Sequence, residues 1–144
     1  GDIETTAGHQ RLDGYNQVYR EFGRVPNKTL IKQGDYSYES GHLHMQQLLE
    51  EHPDVDGVFA CNDLMALGAI AAIEESGRTV PDDVAVIGFD DSVSSRTSRP
   101  QLSTIRQDIA ALGEAAAELM IAQLNGEPVE SRIMPVELVL RESA

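Results

Sequence analysis

The stretch from Gly57 to Phe89 leaves few folds open. "GVFAC" (Gly57–Cys61) and "VAVIGF" (Val84–Phe89) are unbroken apolar runs of strand length. Between them, Leu64–Ile73 is apolar on nearly every side of a helix that begins at Asp63, runs to Ser76 and is ended by Gly77. A strand reads as a continuous apolar run when neither of its faces meets water. A helix with so little polar face is covered on two sides. Strand, helix, strand at this spacing is a βαβ unit, whose right-handed crossover gives parallel strands with helices packed on the sheet.

The pattern extends in both directions. Leu12, Tyr15, Val18, Tyr19 and Phe22 recur at helical spacing before Gly23, "TLIKQ" (Thr29–Gln33) reads as a short first strand, and Met45, Leu48 and Leu49 mark a helix that stops before His52-Pro53. After Pro100, Leu102–Gln107 reads as extended. Ile109, Leu112, Ala116, Leu119 and Ile121 or Gln123 then lie along a helix capped by Asn125-Gly126, and Met134–Leu140 reads as a last strand. The expected class is α/β, a parallel sheet with helices on both faces, and 144 residues suit one ordinary domain.

Charge narrows the function. Eleven Lys and Arg against 24 Asp and Glu give a net charge of −13. Affinity for nucleic acid rests on basic groups that neutralise phosphates, so this stretch by itself repels DNA and suits a neutral polar ligand better. The one cysteine, Cys61, excludes an internal disulfide, allows a reducing compartment and, within a core strand, reads as a small buried hydrophobe. The longest apolar run, Leu64–Ile73, is too short to span a bilayer, which takes ~20 residues. No basic n-region precedes Gly1, and the chain opens without Met directly on a helical pattern, as a fragment would.

The residues offer no catalytic constellation. His42 and His44 are two apart and diverge by about 200° on a helix, so they do not chelate one metal. Asp54–Gly57 lacks the further acidic ligands of a calcium loop. There is no Gly-rich phosphate loop and no G-x-S-x-G elbow. A Mg²⁺-dependent phosphoryl acceptor would set a lysine beside acids at the strand ends, but Lys28 and Lys32 lie at or before the start of Thr29–Gln33. The chain is therefore expected to be no enzyme, with no metal and no cofactor.

Polar groups do converge at one rim. In an open parallel sheet, ligands bind outside the carboxyl ends of the strands. The three expected strand ends lead into "GDYS" (Gly34–Ser37), Asn62-Asp63 and Asp90-Asp91. Neighbouring residues on an extended backbone point to opposite sides, so one aspartate, taken as Asp90, should face the crevice while Asp91 turns away to cap or brace a loop. A carboxylate accepts hydrogen bonds from adjacent hydroxyls, as holding a sugar requires; loop capping by both aspartates fits the same spacing. Asn62 suits an N-cap, or, with Asp63 capping, a ligand contact. Tyr36 fits stacking on an apolar sugar face or plain loop packing. Arg11 fits a bridge to a hydroxyl pair or to the crevice carboxylate, or an ordinary surface arginine.

Taken together, "VFACNDLMALGAIAAIEESGRTVPDDVAVIGFDDS", "PQLSTIRQDIAALGEAAAELM", "PVELVLRES", "RLDGY" and "GDYSYESG" closely resemble, in order and spacing, the effector-binding core of the lactose/galactose repressor family, over nearly the whole chain. The resemblance implies a periplasmic-binding-protein-like fold (type I) of two α/β subdomains closing on a sugar, nucleoside or purine, of which this chain is mainly one. It places residues 1–107 mostly in the C-terminal subdomain, 108–126 in a helix of the other lobe and 133–144 in a returning strand and tail. It matches Arg11, Asn62 and Asp90 to the family's hydroxyl-binding positions, Tyr36 to a stacking aromatic, and Gln107 to a crossover between lobes. It also implies a homodimer, with Leu67 near the two-fold axis and the loop after "GFDD", represented by Ser94, in the interface. Operator DNA would be contacted only through a headpiece outside this chain, in a cytoplasmic regulator with no membrane contact. A periplasmic sugar-binding protein of a transport or chemotaxis system is the alternative within the same fold.

Overall fold

The computed structural model describes residues 1–144. The chain runs α1 (Thr6–Glu21), a 3-10 turn (Lys28–Leu30), α2 (Tyr38–Glu51), β1 (Gly57–Phe59), α3 (Asp63–Glu75), β2 (Ala85–Asp90), α4 (Val93–Thr97), β3 (Ser103–Gln107), α5 (Ile109–Leu124) and β4 (Val136–Val139). The sheet order is β1-β2-β3-β4. The first three strands are parallel and β4 returns antiparallel to β3, pairing Ile105 with Leu138.

The apolar helix is the centre of the core, as its composition demands. Met65, Ala66, Ala69, Ile70, Ala72 and Ile73 of α3 are buried with Met45, Val84, Val86 and Leu102. Two glycines let α2 and α3 touch backbone to backbone. A methyl group on Gly41 would strike the Met65 carbonyl, and one on Gly68 would strike the Tyr38 carbonyl. Leu67 packs half-buried on the edge of this core.

Gly88 of β2 faces Asp63 and Ala66, so its neighbour Phe89 points to the opposite face, where Arg11 of α1 lies over its ring. Helices thus flank both faces, but unequally. On α1, Leu12, Tyr15 and Tyr19 are only half-buried, and Val18 and the capping Phe22 are 51% and 77% exposed. In α5, only Ala115 is buried, and Ile109, Leu112, Met120, Ile121 and Leu124 are all exposed.

Thr29–Gln33 is not a strand. The Asn27 side chain accepts from the Thr29 N–H and winds Lys28–Leu30 into a 3-10 turn. The Ile31 N–H then goes to the Lys28 carbonyl and the Gly34 N–H to the Gly1 carbonyl, so no ladder forms with β1. A local side-chain bond of this kind competes directly with extended pairing. A cavity of about 400 Å³ separates Leu30–Lys32 from Val58 and Phe59.

The last residues fasten the sheet. Ser143 is fully buried; its Oγ donates to the Val86 carbonyl (2.6 Å) and accepts from the Ser103 N–H (2.8 Å), while the Val86 N–H donates to the Ser143 carbonyl. The tail thereby closes the seam between β2 and β3 just before their ladder begins at Ile87 and Ser103.

Candidate functional site

The two aspartates that end β2 have separate environments. Asp91 is consumed by structure. Its side chain is 5% exposed, Oδ2 accepts from Arg106 Nε (2.7 Å), and Oδ1 accepts from Arg141 Nη2 and from Ser95 Oγ. Burial would raise its pKa, but the hydrogen bonds from Arg106 and Arg141 outweigh that and hold it below the usual carboxylate range. Asp90 is half-buried beside Arg11, and Oδ1 accepts from Gln107 Nε2 at 2.9 Å. There burial prevails and pushes the pKa up, against the pull of the Arg11 charge and the Gln107 hydrogen bond. Two adjacent carboxylates are thus driven in opposite directions, and Asp90 alone keeps an oxygen unspent.

The backbone is special at the same place. Three non-glycine residues have positive φ: Tyr36 (69°), Asp90 (115°) and Asp91 (56°). Such conformations cost energy and persist where surrounding contacts enforce them, a pattern concentrated at binding and catalytic sites. For Asp91 the enforcing contacts are the two arginines; for Tyr36 they are Asn62 and Thr5. Asn62 Nδ2 donates to the Tyr36 carbonyl (2.9 Å), and the Tyr36 hydroxyl meets Thr5 Oγ1 at 2.9 Å.

The structure brings Arg11, Asp90 and Gln107 into one cluster and Tyr36 with Asn62 into a second. Both clusters sit at the carboxyl ends of the parallel strands: Asn62 just past β1, Asp90 ending β2 and Gln107 ending β3. Asp63, next to Asn62, is near enough for its charge to act on Asp90.

Of the two arrangements open at Asn62-Asp63, the structure takes the one in which Asn62 caps. Asn62 is the N-cap of α3, its Oδ1 accepting from the Met65 N–H (2.9 Å). Asp63 is 2% exposed and does not cap; Oδ2 accepts from the Ser92 N–H (2.7 Å) and Oδ1 from Thr104 Oγ1 (2.6 Å). It ties α3 to the loop after β2 and to β3, fixing the strand ends relative to one another. Replacing Asn62 with Ala should lower stability by about 1 kcal/mol through the lost cap and release the Tyr36 carbonyl, both measurable by thermal unfolding and by amide exchange at Met65.

Asp63 was read from sequence only as a candidate helix cap, and Thr104, Arg106 and Arg141 were not singled out. Buried polar residues amid apolar runs were the available signal for Asp63 and Thr104; nothing local marks Arg141, whose partner Asp91 is 50 residues away. Leu64, Val93 and Ser94 are exposed, Val93 and Ser94 opening the short helix α4. No group of His, Cys, Asp or Glu is arranged to hold a metal ion, and no helix is long and apolar enough to cross a membrane.

Comparison with known proteins gives this geometry its kinship. The model of the periplasmic binding protein-like domain family matches residues 1–144. The chain belongs to that family. This periplasmic-binding-protein-like domain is similar to the HTH-type transcriptional regulator CelR of Thermobifida fusca, at 40% identity over 140 residues, 97% of this chain and 40% of CelR. Among solved structures, the transcriptional regulator CelR–cellobiose complex matches with a TM-score of 0.95 and 38% identity, covering 100% of this chain and 45% of that one. The Lac repressor dimer bound to operator and the anti-inducer ONPF matches with a TM-score of 0.91 and 33% identity, covering 99% and 43%. The domain therefore spans about two fifths of the length of its curated relative. The resemblance to lactose/galactose repressors drawn from the sequence is borne out, and these relatives are transcriptional regulators rather than enzymes.

Proposed function

We propose that this domain is the effector-sensing and dimerising part of a bacterial transcriptional repressor that binds a small sugar or nucleoside-type ligand. The observation that carries the reading is the contrast within one dipeptide. Asp91 is locked by Arg106 and Arg141, whereas Asp90 is held in a left-handed backbone at a parallel-strand end with Arg11 and Gln107 beside it. A half-buried carboxylate with a guanidinium and an amide in reach binds vicinal hydroxyls through several charge-assisted hydrogen bonds. The likeness to CelR in complex with cellobiose makes a disaccharide the first ligand to test. Asn62 and Tyr36 form the second wall of the crevice.

The domain works as one half of a clamp. Residues 108–126 carry α5 toward a second lobe, which covers its exposed apolar stripe, and ligand between the lobes biases their closure. Leu67 and Ser94, with exposed Leu64 and Val93 beside them, meet their copies across a two-fold axis. Operator contact belongs to a separate basic module, as the acidity of this domain requires, and the regulator acts in the cytoplasm without chemical turnover.

Calorimetric titration of the full-length protein with cellobiose, galactose and adenosine tests the reading. One of them should bind, and Asp90→Ala should weaken that binding at least 30-fold, since a charged hydrogen-bonding partner is lost. Undiminished affinity in the variant would remove Asp90 from the site.

A further inference from the structure

Arg11 has no ion-pair or hydrogen-bonding partner in the protein; its one specific contact is with an aromatic ring. Its guanidinium carbon lies 3.9 Å from the centroid of Phe89. Every other arginine near the strand ends has its donors engaged: Arg106 on Asp91 and Glu137, Arg141 on Asp91, Ser95 and the Leu102 carbonyl. Phe89 is the residue immediately before Asp90, and it projects from the face opposite Gly88. One dipeptide therefore supplies both the ring under the guanidinium and the carboxylate beside it.

We propose that Phe89 is a positioning residue, which holds the Arg11 guanidinium flat so that its donors and the free oxygen of Asp90 face the same ligand. The proposal rests on the reading of this crevice as an effector site and adds the means by which it is preorganised. A guanidinium lies flat on an aromatic face because the ring quadrupole attracts the cation while the planar surfaces stack. The in-plane N–H groups are left pointing outward around the rim, unspent. An Asp–Arg ion pair would orient Arg11 equally well but would consume the acceptor that the ligand needs. Ring support keeps both partners available, and Gln107 takes only one of the two Asp90 oxygens. Immobilising the side chain before binding removes part of the entropy lost on binding.

The contact and its consequence are tested separately. The first measurement is a double-mutant cycle with Arg11→Met and Phe89→Leu, read from urea unfolding of the full-length protein without added sugar. Arg11→Met keeps the apolar stem and removes the cation. The two changes should couple by about two- to fivefold in the folding equilibrium constant, the size of an isolated cation–π pair. Strict additivity overturns the proposal, whether or not any sugar binds. If Phe89→Leu does not fold, the cycle is run with Phe89→Ile, and the NMR resonances of the Arg11 Cδ protons in the unaltered protein supply a further readout: ring-current displacement supports the contact, random-coil positions refute it.

The second measurement is cellobiose affinity. Phe89→Leu should weaken it about tenfold, Phe89→Tyr should restore it to within twofold, and Phe89→Leu should have no further effect once Arg11 is Met. A Phe89→Leu effect that persists in the Arg11→Met background shows Phe89 acting through bulk alone and overturns the proposal. If the unaltered protein ignores cellobiose, it is the choice of sugar in the effector reading that fails, while the unfolding cycle still decides the role of Phe89.

Discussion

Replacing Asp91 with Ala should destabilise the protein by about 3–5 kcal/mol, the usual cost of stranding a buried charge. In a domain of this size, that lowers the melting temperature by on the order of 10 °C. Arg141 is the reason. Its side chain is 11% exposed, and without Asp91 its charge has only Ser95 Oγ and the Leu102 carbonyl to meet. The double variant Asp91→Ala, Arg141→Met should recover part of the loss, since an apolar pair of similar volume often replaces a buried ion pair without penalty. Calorimetry of the two variants checks both statements.

The pH dependence separates the two aspartates further. Asp91 has a folded pKa below its unfolded value. The stability it contributes is fully present above the ordinary aspartate range and is lost as pH falls through the lowered value. Asp90 has the opposite sign. Its folded pKa is raised, so its ionisation opposes folding, and that opposition grows as pH rises from the ordinary aspartate range through the raised value. Accordingly, Asp90→Asn should leave neutral-pH stability unchanged or slightly higher, while Asp91→Ala should flatten the acid limb of the unfolding profile. A fall in neutral-pH stability on Asp90→Asn would show Asp90 to be structural.

The second large effect belongs to the α2–α3 contact. Gly68→Ala places a methyl group on the Tyr38 carbonyl, and Gly41→Ala places one on the Met65 carbonyl; in both cases the obstacle is backbone, which has no rotamer to yield. Overpacking of this kind costs about 1–3 kcal/mol, set against about 1 kcal/mol that Ala gains over Gly within a helix. Because α3 is the centre of the core, the helices must separate along their length, and a net loss of about 1–2 kcal/mol per site is expected. Gly113→Ala provides the internal control. It is also mid-helix, but nothing within the domain lies within 4 Å of its added methyl group, so in the isolated domain it should stabilise. Urea midpoints moving in opposite directions for Gly68→Ala and Gly113→Ala would confirm that close approach, not helix propensity, explains Gly68.

How much of this is legible in the sequence depends on the range of the interactions. The α3 helix and the β2 strand declared themselves because an unbroken apolar run has no other stable placement. Pleat alternation led to the expectation that one aspartate turns away to brace a loop, with capping by both left open. The structure shows Asp91 braced where both residues have already left the extended backbone. Alternation did not reveal the brace, because Arg106 and Arg141 reach Asp91 from 15 and 50 residues away, and no spacing encodes that. At Asn62-Asp63 both residue types cap helices well, and what decided between them was tertiary: Ser92 and Thr104 claimed the Asp63 carboxylate. Thr29–Gln33 has strand composition, yet Asn27 captured the Thr29 N–H first. The exposed stripe of α5 shows the same limit from the other side, since periodicity reports an apolar face and not what covers it.

The tail that closes the seam between β2 and β3 has a consequence for biosynthesis. Ser143 contacts Ser103 and Val86 across 40 and 57 residues of chain. A ribosome therefore releases both strands well before it releases the serine that joins them. Until then, the Val86 amide and carbonyl and the Ser103 amide lack their final partners, and the nascent sheet is open at one corner to any extended peptide nearby. Emergence of Ser143, rather than emergence of the apolar helix, is the moment at which this domain becomes safe from mispairing.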